Sequence, residues 1–160
     1  MALYKKQFSV EQALQKLKHY CAYQERCPGD VKEKMYRIGV LEKDQDKIIA
    51  ILIEEDYLNE ERFAIAFAGG KFRMKKWGKI KIKYELKQRK VCDDDIKKAL
   101  MQIKENEYLA VLKKLSEDKY ASLKNEQYLK RKKKTMDHLM QKGYEPGLIT
   151  EILNKEFPQK

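Results

Sequence analysis

Apolar side chains recur at helical spacing along this chain of 160 residues, in three successive groups. The first helix of each group follows the spacing i, i+4, i+7, i+11, which places those residues on one helical face. The apolar positions are Val10, Leu14, Leu17 and Cys21 in the first group, Phe63, Phe67, Gly70 and Met74 in the second, and Tyr108, Leu112 and Leu115 in the third. We expect each of these faces to be buried.

In each group a second helix ends in a turn, and a third helix follows the turn. The turn residues are Gly39, Lys90 and Gly143. Glycine suits a helix C-terminus that ends in the left-handed conformation, whereas lysine is a poorer fit there. The third helices are indicated by i, i+3, i+4 faces at Ile48, Ile51 and Leu52, at Ile96, Ala99 and Leu100, and at Ile149, Ile152 and Leu153.

Capping residues predict where several of these helices begin. Ser9 starts a capping-box pattern with a glutamine three residues later, and Asn59 is a good N-cap for the second group. Asp93 or Asp94 is expected to cap the third helix of that group. Pro146 falls in the first turn of the last helix, where its missing amide hydrogen has no helical partner.

The three groups predict an all-α protein of three tandem three-helix repeats, with boundaries at 1–58, 59–104 and 105–160. A repeat of about fifty residues is too small to bury a good core alone, so neighbouring repeats should stack. The pair Gly69 and Gly70 falls inside a predicted helix. It marks a bend, a close helix crossing or a local weakness, because glycine disfavours a helix interior.

Composition points to a polyanionic partner. The chain has 36 lysine and arginine residues against 25 acidic residues, which gives a formal net charge of +11. Such an excess of cations favours association with polyanions. Its hydrophobic content of 42 % is that of a folding chain, which argues against a disordered basic tail.

Cysteine content and apolar runs bear on the cellular compartment. Three cysteines without disulfide-like spacing favour a reducing compartment, so we expect the cytoplasm. Residues 1–6 lack the apolar run of a signal peptide, and the longest apolar stretch, 48–53, is too short to cross a bilayer. We therefore expect neither export nor a membrane partner.

Cations are concentrated in the middle helices of the second and third repeats. Between residues 71 and 90 there are ten basic residues and one acid, Glu85. Like charges at i, i+4 destabilise an isolated helix, so an aligned lysine stripe fits a row of anionic groups better than water alone, although a solvated face is the alternative. The candidate binding residues are Arg73, Lys76, Trp77, Lys79, Lys83, Lys87, Lys90, Arg131, Lys132, Lys133 and Lys134.

The aromatic residues of this region allow two interpretations. Trp77 and Tyr84 could stack on unpaired bases, as aromatic side chains do in single-strand binding proteins. Aromatic residues at helical spacing are more often part of a core, and this is the interpretation that we prefer for Phe63 and Phe67.

No residue pattern typical of catalysis is present. His19, Cys21 and Cys27 offer three possible metal ligands but no Cys-x-x-Cys pair, and His138 suits a surface or an interface. The chain has no Walker-type glycine loop, dinucleotide fingerprint or nucleophile elbow. We therefore expect a protein that is not an enzyme and that has no metal or cofactor.

The central part of the chain resembles the RecX family, whose members regulate the RecA recombinase. The matching residues are Tyr57-Leu58-Asn59-Glu60-Glu61-Arg62-Phe63-Ala64, Lys71-Phe72-Arg73, Lys76-Trp77-Gly78, Ile82, Glu85-Leu86 and Val91. Two departures from the family pattern are Asn59-Glu60, where two aspartates are usual, and Lys90, where glycine is frequent. Both keep the capping and charge expected there.

The resemblance implies an elongated, curved all-α protein that lies in the groove of the RecA–DNA filament. It implies inhibition of RecA ATPase, filament extension and strand exchange, and hence modulation of recombination and DNA repair. The implied partners are the RecA filament and single- and double-stranded DNA, bound directly or through the filament. The cationic faces suit either DNA phosphates or an acidic filament surface. We expect a monomer, because the repeats need no partner chain to close a core.

Two other functions are compatible with the residue pattern. A general nucleic-acid-binding protein would need only the basic repeats, and it would act without a recombinase. A helical scaffold that binds an acidic protein is the third hypothesis.

Overall fold

The computed structural model describes residues 8–159, so the prediction about residues 1–6 lies outside the described range. Within residues 8–159 the fold consists of nine α-helices and one π-helical turn, without β-strands. The helices are α1 Val10–Tyr23, α2 Pro28–Ile38, α3 Glu42–Glu54, α4 Glu60–Gly70, α5 Lys79–Gln88, α6 Asp93–Met101, α7 Glu105–Ser122, α8 Tyr128–Lys142 and α9 Pro146–Glu156. The predicted all-α class and its succession of three-helix groups are confirmed.

The chain divides into two compact units, one up to Ala66 and the other from Phe67 onward. Unit 1 contains α1, α2 and α3, and unit 2 contains α5 to α9, while α4 runs from one into the other. The division into repeats 1–58, 59–104 and 105–160 stays a prediction.

In unit 1, each of the first three helices packs against the other two. Leu17 and Cys21 of the predicted α1 face are buried in their shared core, together with Met35 of α2. Val10 and Leu14 lie half-buried at the edge of this core. The predicted capping box is present, since the Ser9 hydroxyl accepts a hydrogen bond from the backbone of the residue three positions later.

All three predicted turn residues adopt the left-handed conformation. The backbone φ angle is 83° at Gly39, 97° at Gly143 and 62° at Lys90. The two glycines meet this requirement without a side-chain clash, whereas Lys90 adopts it with a Cβ present. The three second helices therefore end in the way that the sequence predicts.

The predicted apolar face of α4 is wrong in its second half. The buried residues are Phe63, Ala64, Ala68 and Phe72, whereas Met74 is 82 % exposed. Two small alanines occupy tightly packed positions that a search for large apolar residues overlooks. After α4 the backbone widens into a π-helical turn, Lys71–Lys75, and this change of period carries the following side chains away from the α-helical face.

Three further local predictions can be compared with the structure. Asn59 Oδ1 accepts a 2.8 Å hydrogen bond from the Arg62 backbone, as expected of an N-cap. The cap of α6 is Cys92, so the prediction of Asp93 or Asp94 is wrong; the helix begins at Asp93. The aspartates lie in its first turn, where the helix dipole favours negative charge. Pro146 is the first residue of α9, as predicted.

The α7 face is also shifted slightly from its prediction. Tyr108 and Leu112 are buried as expected, but the next fully buried side chain is that of Ser116, and Leu115 is only half-buried. The Ser116 hydroxyl donates a 2.7 Å hydrogen bond to the Leu112 carbonyl. A hydroxyl satisfied within its own helix can be buried at little cost, which hydrophobic periodicity does not reveal.

Candidate functional site

Helix α5 carries the predicted lysine stripe along one edge of a groove. Its inner face buries Ile82 and Leu86, which fixes the orientation of the helix. The groove lies between α5 and α6 and has a volume of about 470 Å³. Its lining residues are Lys79, Lys83, Lys87, Asp93, Ile96, Lys97, Leu100 and Met101. The groove therefore combines an apolar floor with a cationic rim.

The three stripe lysines are only weakly neutralised by the protein. Lys87 Nζ lies 3.8 Å from a carboxylate oxygen of Asp93, and both side chains are exposed to solvent. Such surface ion pairs contribute about 0–1 kcal/mol. Lys83 has no ion pair within the described range, and Lys79 Nζ lies 4.7 Å from the centre of the Tyr108 ring. The groove consequently keeps an excess of positive charge.

Lys90 does not continue this helical stripe, contrary to the prediction. Helix α5 ends at Gln88, and Lys90 lies in the left-handed turn that follows it. Its side chain is exposed, but it does not occupy the i+11 position that an uninterrupted helix would give it. The stripe of α5 therefore contains the three lysines Lys79, Lys83 and Lys87.

The start of α5 is held by the end of α8. The Gly78 amide donates a 2.8 Å hydrogen bond to the Lys142 carbonyl, and the Ile80 amide donates a 2.9 Å hydrogen bond to the Gly143 carbonyl. The Lys79 amide donates to the Tyr108 hydroxyl at 3.0 Å. The free amides at a helix N-terminus need such acceptors. This contact fixes where the lysine stripe begins.

Close approach of two glycines makes this junction possible. A Cβ atom on Gly78 would lie 2.3 Å from the Gly143 carbonyl carbon, and one on Gly143 would lie 2.3 Å from the Cβ of Lys81. Distances this short exclude a side chain at either position without a backbone shift. Tyr144 adds a further link, because its hydroxyl donates a 2.9 Å hydrogen bond to the Lys76 carbonyl.

Trp77 is part of a packed cluster, and its indole is half-buried. The Phe67 ring meets it edge-on with a centroid distance of 6.4 Å. The ammonium groups of Lys71 and Lys81 lie 5.0 Å and 4.6 Å from the centre of the Trp77 ring. Tyr84, in contrast, is 60 % exposed on α5. Of the two aromatic residues, Tyr84 is therefore the more accessible.

Arg73 and Lys76 lie in the π-helical turn and at its end. The Arg73 guanidinium covers Gly69 so closely that a Cβ there would be 2.8 Å from one of its nitrogens. Lys76 adopts a left-handed conformation with φ of 57°, and its amide donates to the Phe72 carbonyl. Both side chains are exposed. The structure thus places these two predicted cations just before the α5 stripe.

The second basic run, in α8, is largely engaged within unit 2. The Arg131 guanidinium stacks 3.6 Å above the Tyr120 ring and donates a 2.7 Å hydrogen bond to the Tyr120 carbonyl. Lys132 donates a 2.5 Å hydrogen bond to Asn154 Oδ1. These contacts tie α8 to α7 and α9, a structural role that sequence reasoning missed.

The remaining cations of this run have acidic partners. Lys133 Nζ lies 4.0 Å from Asp137, and Lys134 forms an ion pair with Glu126 that lowers the pKa of the Glu126 carboxyl. Arg131, Lys132 and Lys134 are therefore less available to an external anion than the α5 stripe. The exposed Lys133–Asp137 pair is no closer than the Lys87–Asp93 pair, so Lys133 is as weakly neutralised as the stripe.

The three residues considered as metal ligands differ in their surroundings. His19 is exposed on α1, whereas Cys21 is buried in the core of unit 1. Burial raises the pKa of the Cys21 thiol to about 11, which disfavours the thiolate that a metal ion requires.

In unit 2, burial lowers the pKa of His138, and the nearby charges of Lys119 and Lys142 act in the same direction.

Within residues 8–159, no helix combines the length and apolar character needed to cross a bilayer.

This chain is similar to known protein families and to solved structures. The family model described as "RecX, second three-helix domain" matches residues 59–100, and "RecX, third three-helix domain" matches residues 105–153. Two crystal structures share the fold. One, described as regulatory protein RecX, has a TM-score of 0.82 at 21 % identity and covers 91 % of this chain and 73 % of its own. The other, RecX from Lactobacillus salivarius, has a TM-score of 0.79 at 20 % identity and covers 91 % and 95 %.

Similar curated proteins carry the name "Regulatory protein RecX", which states no enzymatic activity. The protein from Leuconostoc mesenteroides is 29 % identical over 136 residues, which cover 85 % of this chain and 51 % of that protein. The protein from Prosthecochloris aestuarii is 28 % identical over 151 residues, which cover 91 % and 94 %. The chain spans about half the length of several relatives that it matches. Its matches to two successive RecX domains, together with these relatives, show that the chain belongs to the RecX family of regulatory proteins.

Proposed function

We propose that this protein binds in the groove of the RecA–DNA filament and inhibits RecA ATPase, filament extension and strand exchange. It would thereby modulate recombination and DNA repair as a cytoplasmic monomer without chemistry of its own. The observation that carries the proposal is the row of Lys79, Lys83 and Lys87 along the α5–α6 groove. This row lies within residues 59–100, which match a RecX domain.

The spacing of the row supports recognition of a regular anion array. Side chains four residues apart on a helix are separated by about 6 Å along its axis, because each residue rises 1.5 Å. Phosphates along an extended nucleic-acid strand, or carboxylates at i, i+4 on an acidic helix, repeat at a comparable distance. The row is therefore suited both to the DNA phosphates and to an acidic protein surface of a recombinase filament.

The candidate residues differ in how well the structure supports them. Lys79, Lys83 and Lys87 line the groove, and the exposed Arg73 and Lys76 precede it along the chain. We assign the main contacts to these five side chains. A smaller contribution is proposed from Lys133 and Lys134 of α8, because neither lines the groove and Lys134 is paired with Glu126.

The test is the single-stranded-DNA-dependent ATPase of the cognate RecA, titrated with this protein at two salt concentrations. We expect inhibition well below one copy per RecA protomer, because a protein wedged in the filament groove affects many subunits. No effect, or inhibition only when the protein coats all of the DNA, would contradict filament binding.

The alternative function is general nucleic-acid binding without a recombinase. The incomplete neutralisation of the α5 stripe favours it, since bare phosphates would satisfy those cations equally well. This function predicts strong binding to bare DNA that RecA does not enhance. An affinity that is unchanged by pre-assembled RecA filaments would therefore support the alternative.

A further inference from the structure

Unit 1 contains a second basic groove, which has no part in the function proposed above. It lies between α1 and α2 and has a volume of about 460 Å³. This volume is within the range of ligand pockets, about 300–1,000 Å³. The basic and aromatic residues that line it are Lys16, His19, Tyr20, Tyr23, Arg26 and Lys34. Among residues 8–159, none that lines the groove carries a carboxylate.

Two of its cations flank one tyrosine ring. The Arg26 guanidinium lies 3.8 Å from the centre of the Tyr20 ring, and Lys34 Nζ lies 5.5 Å from it. Arg26 Nε also donates a 3.2 Å hydrogen bond to the Tyr20 carbonyl. The guanidinium is therefore held in place before any ligand arrives, which reduces the entropy lost when it binds an anion.

The acidic residues near this groove have other partners. Asp30 accepts a 3.1 Å hydrogen bond from the Cys27 amide at the start of α2, and Glu33 pairs with Arg37. Within residues 8–159, Lys16, Arg26 and Lys34 form no ion pair with a carboxylate. Lys16 Nζ lies 4.9 Å from the centre of the Phe8 ring, so its recorded partner is an aromatic face. An anion in the groove would therefore meet cations that no ion pair with a carboxylate neutralises.

An exposed aromatic ring stands beside these cations. Tyr23 is the last residue of α1, and its side chain is 80 % exposed. Aromatic side chains next to a cationic groove provide stacking platforms for unpaired bases. The groove therefore offers both elements that recognise a single strand, cations for phosphates and an accessible ring for a base.

We propose that the α1–α2 groove binds single-stranded DNA directly, with Lys16, Arg26 and Lys34 on phosphates and Tyr23 stacked on a base. Duplex DNA presents no unstacked base to Tyr23. An acidic protein segment would satisfy the cations but would gain nothing specific from this ring. Dependence on Tyr23 therefore separates the proposed ligand from both of these.

The first test measures fluorescence anisotropy of a labelled oligo-dT strand with the full chain, across a salt series and without any recombinase. The variant K16Q/R26Q/K34Q is compared with K32Q/K43Q/K47Q, which changes three exposed lysines of unit 1 outside the groove and has the same net charge. Loss of three phosphate contacts should make the log–log salt slope shallower by about 2 relative to this control. Equal slopes for the two triple variants would overturn the proposal.

The second test concerns Tyr23 alone and leaves all cations in place. Tyr23→Ala should weaken oligo-dT binding about fivefold or more, the lower end of what one stacked base contributes, whereas Tyr23→Phe should retain it. Tyr23→Ala and Tyr23→Phe should bind a duplex of equal length with the same affinity as each other. Unchanged oligo-dT binding by Tyr23→Ala, or an equal loss with duplex, would overturn the proposal. Circular dichroism shows whether each variant keeps its helicity, and no result depends on RecA.

Discussion

The Tyr108 hydroxyl donates a 2.6 Å hydrogen bond to Glu145 Oε1 and thereby joins α7 to the residue that precedes α9. The same oxygen accepts the Lys79 amide at the start of α5. The Tyr108 ring is buried against Tyr144 at a centroid distance of 5.1 Å. Burial, reinforced by the bond to Glu145, raises the pKa of Tyr108. One hydroxyl thus connects three helices of unit 2 beneath the lysine stripe.

Tyr108→Phe should lower the free energy of unfolding by about 1–3 kcal/mol, measured by urea denaturation. The ring and its packing are retained, but the Lys79 amide and the Glu145 carboxylate lose a partner in a partly buried setting. Tyr84→Phe is the matched control at an exposed position of α5, and a change within about 0.5 kcal/mol is expected. Equal stabilities of the two variants would show that the hydroxyl bridge is dispensable.

Alkaline pH should destabilise the folded protein in a defined range. Burial raises the pKa of Cys21 from 9.0 to about 11, and burial also raises the pKa of Tyr108 and Tyr144. The folded chain then holds protons that the unfolded chain has released, so stability is complete below pH 9 and falls as pH rises toward 11. Each such proton contributes a slope of up to about 1.4 kcal/mol per pH unit.

Urea denaturation at pH 8, 9, 10 and 11 tests this linkage. Cys21→Ala should flatten the decline between pH 9 and 10, because it removes a buried thiol whose pKa is raised. A free energy of unfolding that stays constant up to pH 11 would contradict the proposed retention of protons.

Gly78→Ala should destabilise unit 2 by about 1–3 kcal/mol, because the added methyl group would meet the Gly143 carbonyl at 2.3 Å. Gly147→Ala is the control within α9, since no atom lies within 4 Å of its Cβ position. That control should be neutral or stabilising by up to about 1 kcal/mol, because alanine favours a helix. Thermal unfolding followed by circular dichroism compares the two. Tolerance of Gly78→Ala would mean that the α5–α8 junction is looser than its distances indicate.

Lys90→Gly should stabilise the protein by about 0.5–1 kcal/mol. The left-handed conformation at Lys90 costs a residue with a Cβ about 1–2 kcal/mol, and the greater freedom of glycine in the unfolded chain offsets part of that gain. Lys97→Gly in α6 removes the same charge from a helix interior and should destabilise by about 1 kcal/mol. The two substitutions should therefore move the urea midpoint in opposite directions.

Charge reversal of the α5 stripe, K79E/K83E/K87E, should abolish inhibition of the RecA ATPase while helicity stays intact. The cationic rim of the groove would then repel phosphates and carboxylates alike. K32E/K43E/K47E reverses three exposed lysines of unit 1 and controls for net charge. Inhibition that survives in the stripe variant would refute the assignment of these residues.

Local backbone chemistry was the part of the fold that could be predicted most directly. Gly39 and Gly143 have a conformation that their residue type favours, and Asn59 caps α4 through its own side chain. These features depend on a few neighbouring residues. The lysine stripe of α5 followed equally from helical period, because Ile82 and Leu86 define the opposite, buried face.

Features that depend on distant residues were not predictable in this way. The π-helical turn after Gly70 changes the helical period, and only the nearby glycine pair indicated that the helix was weak there. Arg131 looks like an external cation in the sequence, yet it stacks on Tyr120, eleven positions earlier. The joining of Gly78 to Gly143 requires two segments 65 residues apart to meet, and no local pattern indicates it.

The carbonyls of Lys142 and Gly143 that receive the amides of Gly78 and Ile80 have a consequence for truncation. A chain cut after residue 104 would retain every residue of α5 and α6, but it would leave these two amides without acceptors. It would also remove the aromatic rings of Tyr108 and Tyr144 that cover this junction. The lysine-bearing helix is therefore completed by sequence that follows it, and the contacts between α5 and α8 form only after residue 144 has been synthesised.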